Sequence, residues 1–175
     1  MKKLTLIAIA AAVMMFSSLA SAQTATGTLS VTATVNGSIN MVFNSDASGV
    51  ALTGAGTNAA TLAFGNVSAY GALGGGISRS VAASSFTVSS PFDVLVSASN
   101  STSANYTLKA QLNAADATNS WQVGGVAVTN AAQSTITAAG AYGNNVPFSL
   151  ALTIPFATAS GTNISNAVNF TATAN

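Results

Sequence analysis

Residues 148–156 read Phe-Ser-Leu-Ala-Leu-Thr-Ile-Pro-Phe, and this stretch decides the fold. Phe148, Leu150, Leu152, Ile154 and Phe156 fall on one side of an extended chain, while Ser149, Ala151 and Thr153 fall on the other. A period of two is the mark of a strand with one face on a core and one in water. The same period recurs on either side. Val168, Phe170 and Ala172 alternate at the end of the chain. Upstream, so do Tyr106, Leu108, Ala110 and Leu112, then Phe92, Val94, Val96 and Ala98, then Ile39, Met41 and Phe43. Thr and Val, abundant here, suit pleated, half-buried surfaces. Beyond the amino-terminal segment, no stretch combines helical spacing with helix caps.

Gly, Asn and Ser clusters separate the runs, as in Gly54-Ala55-Gly56-Thr57-Asn58 and from Gly71 to Gly76. Trp121 to Val128 reads as a tight hairpin, because Gly124-Gly125 tolerates the positive φ of primed turns. Antiparallel strands with one solvated face point to an all-β protein. A membrane barrel would band its aromatics into girdles, whereas the Phe and Tyr residues here are scattered. A β-solenoid would repeat at a fixed period, and no such repeat is present, although the Thr-rich start has the look of an ice-binding face. The expectation is an all-β sandwich with Greek-key connections.

The amino terminus carries an export signal. Lys2 and Lys3 precede an almost unbroken apolar run through Phe16, and Ser18-Leu19-Ala20-Ser21-Ala22 supplies the small residues of a cleavage site. The apolar run is short for a membrane span. Residues 1–22 are therefore read as a signal peptide and 23–175 as a single β-sandwich domain, exported to the cell surface, a fimbrium or the medium. No insertion into the membrane is expected. In residues 23–175, Arg79 and Lys109 stand against Asp46, Asp93 and Asp116, a net charge of −1. That leaves no basic patch for a nucleic acid, and little charge to keep copies of the chain apart. There is no cysteine, so packing and strand pairing must hold the fold without a covalent staple.

Catalysis is argued against by residue type. Without His or Cys, no Ser-His-Asp or Cys-His arrangement exists. Lys109 lies between Leu108 and Ala110 on the polar side of a strand, where a solvated charge is the simpler reading. The three Asp residues sit in or near separate loops, which does not make an acid/base pair. Calcium at Asn44/Asp46 or at Asn113/Asp116/Asn119 would find one carboxylate per loop, fewer than the ion prefers. Gly71 to Gly76 lacks the lysine and helix of a phosphate loop. Trp121, Tyr70, Tyr106 and Tyr142 could stack on a sugar, but aromatics in a sandwich belong more often to the core. The expectation is a protein that is not an enzyme and needs no cofactor and no metal.

Residues 23–35 point to assembly. One side of this segment carries Ala25, Gly27, Leu29, Val31, Ala33 and Val35, and the other is nearly all Thr and Ser. Such an arm can add as a strand to a neighbour's sheet, with backbone hydrogen bonds for affinity and alternate side chains filling pockets. A head-to-tail joint of that kind propagates as a filament. A second reading stays open, in which the arm folds back on its own chain. A three-residue loop at Asn36-Gly37-Ser38 would pair Val35 with Ile39 and Ala33 with Met41, keeping apolar residues on one face.

Three stretches resemble the archaic chaperone–usher pilins, the spore coat protein U domain group. Thr26-Gly27-Thr28-Leu29-Ser30-Val31 looks like their donor extension, and Leu62-Ala63-Phe64-Gly65-Asn66-Val67 is similar to a hydrophobic-x-Phe-Gly strand. Residues 161–174 resemble the Gly-x-Tyr-x-Asp-x-Val closing strand, with Ile164 at the Tyr position and Asn166 at the Asp position. The family's usual disulfide is absent, and residues 71–145 match only in general texture. The resemblance implies an immunoglobulin-like β-sandwich lacking its last strand, with a groove lined along 146–156 and 166–173 by Phe148, Leu150, Leu152, Ile154, Val168 and Phe170. It also implies that a periplasmic chaperone caps the groove before residues 24–35 of the next copy fill it, with an outer-membrane usher as a further partner. The expected function is a structural subunit of an extracellular fibre or pilus polymerising by donor-strand exchange. The alternative is a self-complete secreted sandwich that binds carbohydrate or another surface ligand.

Overall fold

The computed structural model describes residues 26–175, so residues 1–22, where a signal peptide is expected, and Ala25 of the arm lie outside the described residues. Nine strands follow one another: β1 (Ser38–Ser45), β2 (Ser78–Val81), β3 (Ser85–Ser99), β4 (Tyr106–Leu112), β5 (Ser120–Val123), β6 (Val126–Val128), β7 (Ser134–Gly140), β8 (Asn145–Pro155) and β9 (Val168–Ala174). They form two antiparallel sheets packed as a β-sandwich. The larger has the order β1-β3-β8-β5-β6, with β2 also on β3; the smaller is β7-β4-β9.

The long strand β3 organises the larger sheet. On one edge β8 pairs along Ser85–Leu95, and on the other β2 and β1 follow in tandem, opposite Phe86–Ser89 and Phe92–Ser99. Period-two patterning sets what is buried. Phe86, Val88, Phe92, Val94 and Val96 point inward from β3, and Tyr106, Leu108, Ala110 and Leu112 face them from β4. Ser90 is the buried polar residue in this set, and its Oγ accepts the Val50 N–H at 2.8 Å. The glycine hairpin forms as the sequence predicts: Gly124 and Gly125 both have positive φ, at 57° and 79°, and Val123 pairs with Val126.

The strand order is that of an immunoglobulin sandwich, in which A-B-E-D face C-F-G. In chain order β1, β3, β4, β5, β8 and β9 take positions A to F, while β7 lies on the far side of β4 from β9. Among the described residues no strand follows β9 in position G.

Three expectations need correction. Leu62–Val67 is not a strand; the ladder contact nearby is an isolated bridge between Thr53 and Thr61, and Gly65 turns the chain with φ of 63°. Phe156 leaves the buried run that contains it: β8 ends at Pro155, and Phe156 is 41% exposed although its N–H still donates to the Ser84 carbonyl at 2.9 Å. The local hairpin at Asn36-Gly37-Ser38 does not form, since residues 26–37 carry no strand and β1 pairs with β3 instead.

Candidate assembly site

The free edge of β9 borders an open cleft of about 1010 Å³ within the unit Val35–Asn175. Its apolar wall comes from Leu150, Leu152 and Ile154 of β8, Phe92 of β3, Phe43 of β1 and Trp121 of β5. Val168 and Phe170 of β9 close one side, and two irregular segments, 60–67 and 160–167, form the rest. No residue lining the cleft carries a charge.

Five of the six expected groove residues meet here: Leu150, Leu152, Ile154, Val168 and Phe170. Phe148 does not line the cleft. Its ring packs against Phe92 at a centroid distance of 6.4 Å and lies beside Gly124, inside the sandwich next to the hairpin. Burial differs along the site. Leu152 and Ile154 are buried, whereas Val168, Phe170 and Ala172 of β9 are only half-buried. In β4, at the centre of the same sheet, every inward residue is buried. The contrast follows from position: β4 has a neighbour on both sides and β9 on one. Alternate backbone N–H and C=O groups of β9 therefore face away from β4, a template for another strand.

Phe43, Phe92, Trp121, Leu62, Phe64 and Ile164 also line the cleft. Phe43 and Phe92 stand at inward positions of alternating runs, a signal sufficient to place them in the core. Leu62, Phe64 and Ile164 sit on irregular backbone, where no periodicity marks them. The segment before β9 is held by Asn166. Its Oδ1 accepts the Ala114 N–H (3.3 Å) and the Ala167 N–H (2.9 Å), and its Nδ2 donates to the Ala114 carbonyl (3.0 Å). An amide can both donate and accept, which a carboxylate at this position could not.

Gly27, Leu29, Val31, Ala33 and Val35 lie on non-strand backbone and are exposed, Leu29 at 87% and Val31 at 81%. Large aliphatic side chains at that exposure leave their transfer free energy unrealised, about 1.5–3 kcal/mol each.

The carboxylates of Asp46 and Asp116 serve local structure. The Asp116 oxygens take the N–H groups of Thr118 (3.1 Å) and Asn119 (2.9 Å), the Asn119 amide, and the Trp121 indole N–H (2.8 Å). Burial raises its pKa, but the Asn119 and Trp121 bonds and the Thr118 N–H outweigh that and hold it at about 2. Both oxygens thus face donors, and Asn113 Oδ1 accepts from Asn169 at 3.4 Å. At the other pair considered for calcium, Asp46 Oδ1 caps the Ser48 N–H at 2.7 Å and Asn44 donates to Asn145 at 2.9 Å. Asp93 is raised by burial and then by Asp46. Lys109 stands outward on β4 opposite Thr135 and Thr171. Of the four aromatics considered for sugar stacking, Trp121 and Tyr106 are buried, Tyr142 donates its hydroxyl to the Asn105 carbonyl at 3.0 Å, and Tyr70 is 80% exposed.

In comparisons with known proteins, no family model, curated protein or solved structure matches the chain.

Proposed function

We propose that the protein is a structural subunit of a surface fibre, in which the arm of one copy occupies the strand position beside β9 of the next. One observation carries this reading. Among the described residues the smaller sheet has β9 as an edge strand beside an uncharged cleft with one apolar wall, and the same chain carries an exposed arm whose alternate residues are apolar. The arm's pattern suits a strand that buries one side. Leu29, Val31, Ala33 and Val35 would face the cleft, and Thr28, Ser30, Thr32 and Thr34 the solvent.

The energetics require both components of that contact. Fixing the backbone costs about 1–2 kcal/mol per residue, which the aliphatic contacts on every second residue offset only in part. Hydrogen bonds to β9, at about 0.5–1.5 kcal/mol each, supply the remainder. A chaperone and an usher fit this scheme as partners that shield the open edge until a neighbour's arm arrives, because an unpaired edge otherwise invites aggregation. The resemblance of the arm to the donor extension of archaic chaperone–usher pilins supports the same assignment, and the leader-like amino terminus supports export.

The test is polymerisation. Electron microscopy of residues 23–175 should show filaments, and removal of residues 23–33 should leave a folded subunit that binds a synthetic 23–35 peptide but does not polymerise. Normal fibres from the truncated chain would overturn the proposal.

Tyr70 favours a second reading, a surface-ligand site. Its ring packs against Phe156 at 6.3 Å, tilted by 39°, and Phe156 stacks on Phe86 at 6.4 Å, with Tyr70 exposed to solvent. Arg79 fixes the loop by donating to the carbonyls of Ser68 (2.8 Å) and Gly71 (2.7 Å). A glycan panel compared between the intact chain and Tyr70→Ala decides it: binding lost with the ring supports this site, and no binding by either removes it.

A further inference from the structure

Asn36-Gly37 is the one place in the sequence where glycine follows asparagine. It makes no hairpin here. Instead Asn36 is exposed, and both residues precede the first ladder pair of β1, Ser38 with Ser99. Glycine at 37 has a packing reason: a Cβ there would stand 2.8 Å from the Asn100 carbonyl oxygen. Asn100 itself turns the chain with φ of 52°. Packing thus demands at position 37 the one residue whose nitrogen has no flanking side chain.

We propose that Asn36 is a self-modifying site, converting spontaneously to aspartyl and isoaspartyl forms. The Gly37 backbone nitrogen attacks the Asn36 side-chain amide carbon. A carbon–nitrogen bond forms and closes a five-membered succinimide, while the bond from that carbon to the amide nitrogen breaks. The Gly37 N–H proton passes to water, and the departing nitrogen takes up a proton and leaves as ammonia. Water then opens either imide carbonyl. One opening leaves an ordinary aspartyl residue, and the other routes the main chain through the side-chain carbon. The balance is one water consumed and one ammonia released, with no redox change.

Three features favour this asparagine over the others. The absence of a Cβ at residue 37 leaves the attacking nitrogen unhindered and free in φ. Its amide lies outside the β1–β3 ladder, so no strand pairing is lost in bending to the ring. The side chain is in water, where the leaving ammonia is solvated. Asn58 and Asn163 are likewise exposed and outside strands, but Ala59 and Ile164 follow them and crowd the nitrogen. The product adds one negative charge between the arm and β1, and its isoaspartyl form adds one atom to the backbone there. In the proposed fibre that point is the link between subunits. This consequence rests on the assembly reading, whereas the chemistry does not.

The test is to hold the purified chain in heavy-oxygen water at neutral pH and physiological temperature and to follow it by peptide mass mapping. The expected result is ammonia release, with heavy oxygen entering the peptide that contains residue 36, while those containing Asn58 and Asn163 stay intact. Isoaspartyl-specific enzymatic methylation should then label position 36, and Asn36→Gln, which cannot close a five-membered ring, should abolish both signals. Conversion at Asn36 no faster than at Asn58 and Asn163, or ammonia release undiminished in Asn36→Gln, overturns the proposal.

Discussion

Phe43 of β1 and Phe170 of β9 meet edge to face, with ring centroids 5.2 Å apart and planes inclined by 63°. They belong to different sheets, so the contact ties the edge of one to the edge of the other beside the cleft. Phe92 completes the cluster at 6.0 Å from Phe170 and 6.4 Å from Phe43. Phe170→Ala should lower unfolding free energy by about 3 kcal/mol, the lower end for a truncated core Phe because the ring is half-buried. A double-mutant cycle with Phe43→Ala should return a coupling of about 0.5–1.5 kcal/mol. Urea unfolding measures both, and a coupling near zero would mean that the sheets are joined elsewhere.

Val31→Asp separates assembly from folding. The arm carries no strand and Val31 is exposed, so the substitution should move the urea midpoint by no more than about 0.5 kcal/mol of stability. In a joint, the same carboxylate would enter a cleft that offers no charged partner, at an effective cost of several kcal/mol. Filaments should disappear from micrographs while circular dichroism stays that of the parent. Unchanged filaments would remove Val31 from the joint.

The core was legible in the sequence wherever a strand has one face buried and one wet. Alternation in β3, β4, β8 and β9 names Val94, Leu108, Leu152 and Phe170 directly, and Gly124-Gly125 places the hairpin. Alternation weakens at edges. β2 is only Ser-Arg-Ser-Val, and β7, Ser-Thr-Ile-Thr-Ala-Ala-Gly, exposes residues from both faces, so neither stands out. In the site, the β8 and β9 residues follow from the period, but Phe148 shares that period and packs inside the sandwich. Which inward residues border an opening depends on where the neighbouring sheet stops, and that is a tertiary fact. Leu62, Phe64 and Ile164 join the core from irregular backbone, where side-chain contacts act without a repeating pattern.

Asp116 should make the fold acid-sensitive. Its folded pKa of about 2 lies below the unfolded value of about 3.9, so its contribution is present above the unfolded pKa. That contribution is lost as pH falls toward the folded pKa, over the window from about 4 to about 2. Asp93, raised by burial and then by Asp46, acts in the opposite sense, costing stability once ionised. Asp116→Asn should lower stability at neutral pH, free the Trp121 indole N–H and flatten the acid limb. Asp93→Asn should steepen the net loss toward low pH. Urea midpoints across that window, with Trp121 fluorescence as the probe, check both signs.

Tyr106 and Gly140 provide the sharpest test of core packing. Tyr106 is fully buried, its ring lies against the α-carbon of Gly140, and its hydroxyl has no hydrogen-bond partner among the described residues. The ring therefore stabilises the fold while the hydroxyl costs it. Burial, followed by the neighbouring Tyr142, also raises the pKa of the phenol. Tyr106→Phe keeps the ring and removes the orphaned group, so it should raise stability by about 1 kcal/mol, the scale of an unmade hydrogen bond. Gly140→Ala drives a methyl group into that ring and should lower stability by about 1–3 kcal/mol, as overpacking does. In the double variant the alanine penalty should persist, because the clash is with ring carbons that phenylalanine retains. If Tyr106→Phe instead destabilises, the hydroxyl has a partner, such as a buried water.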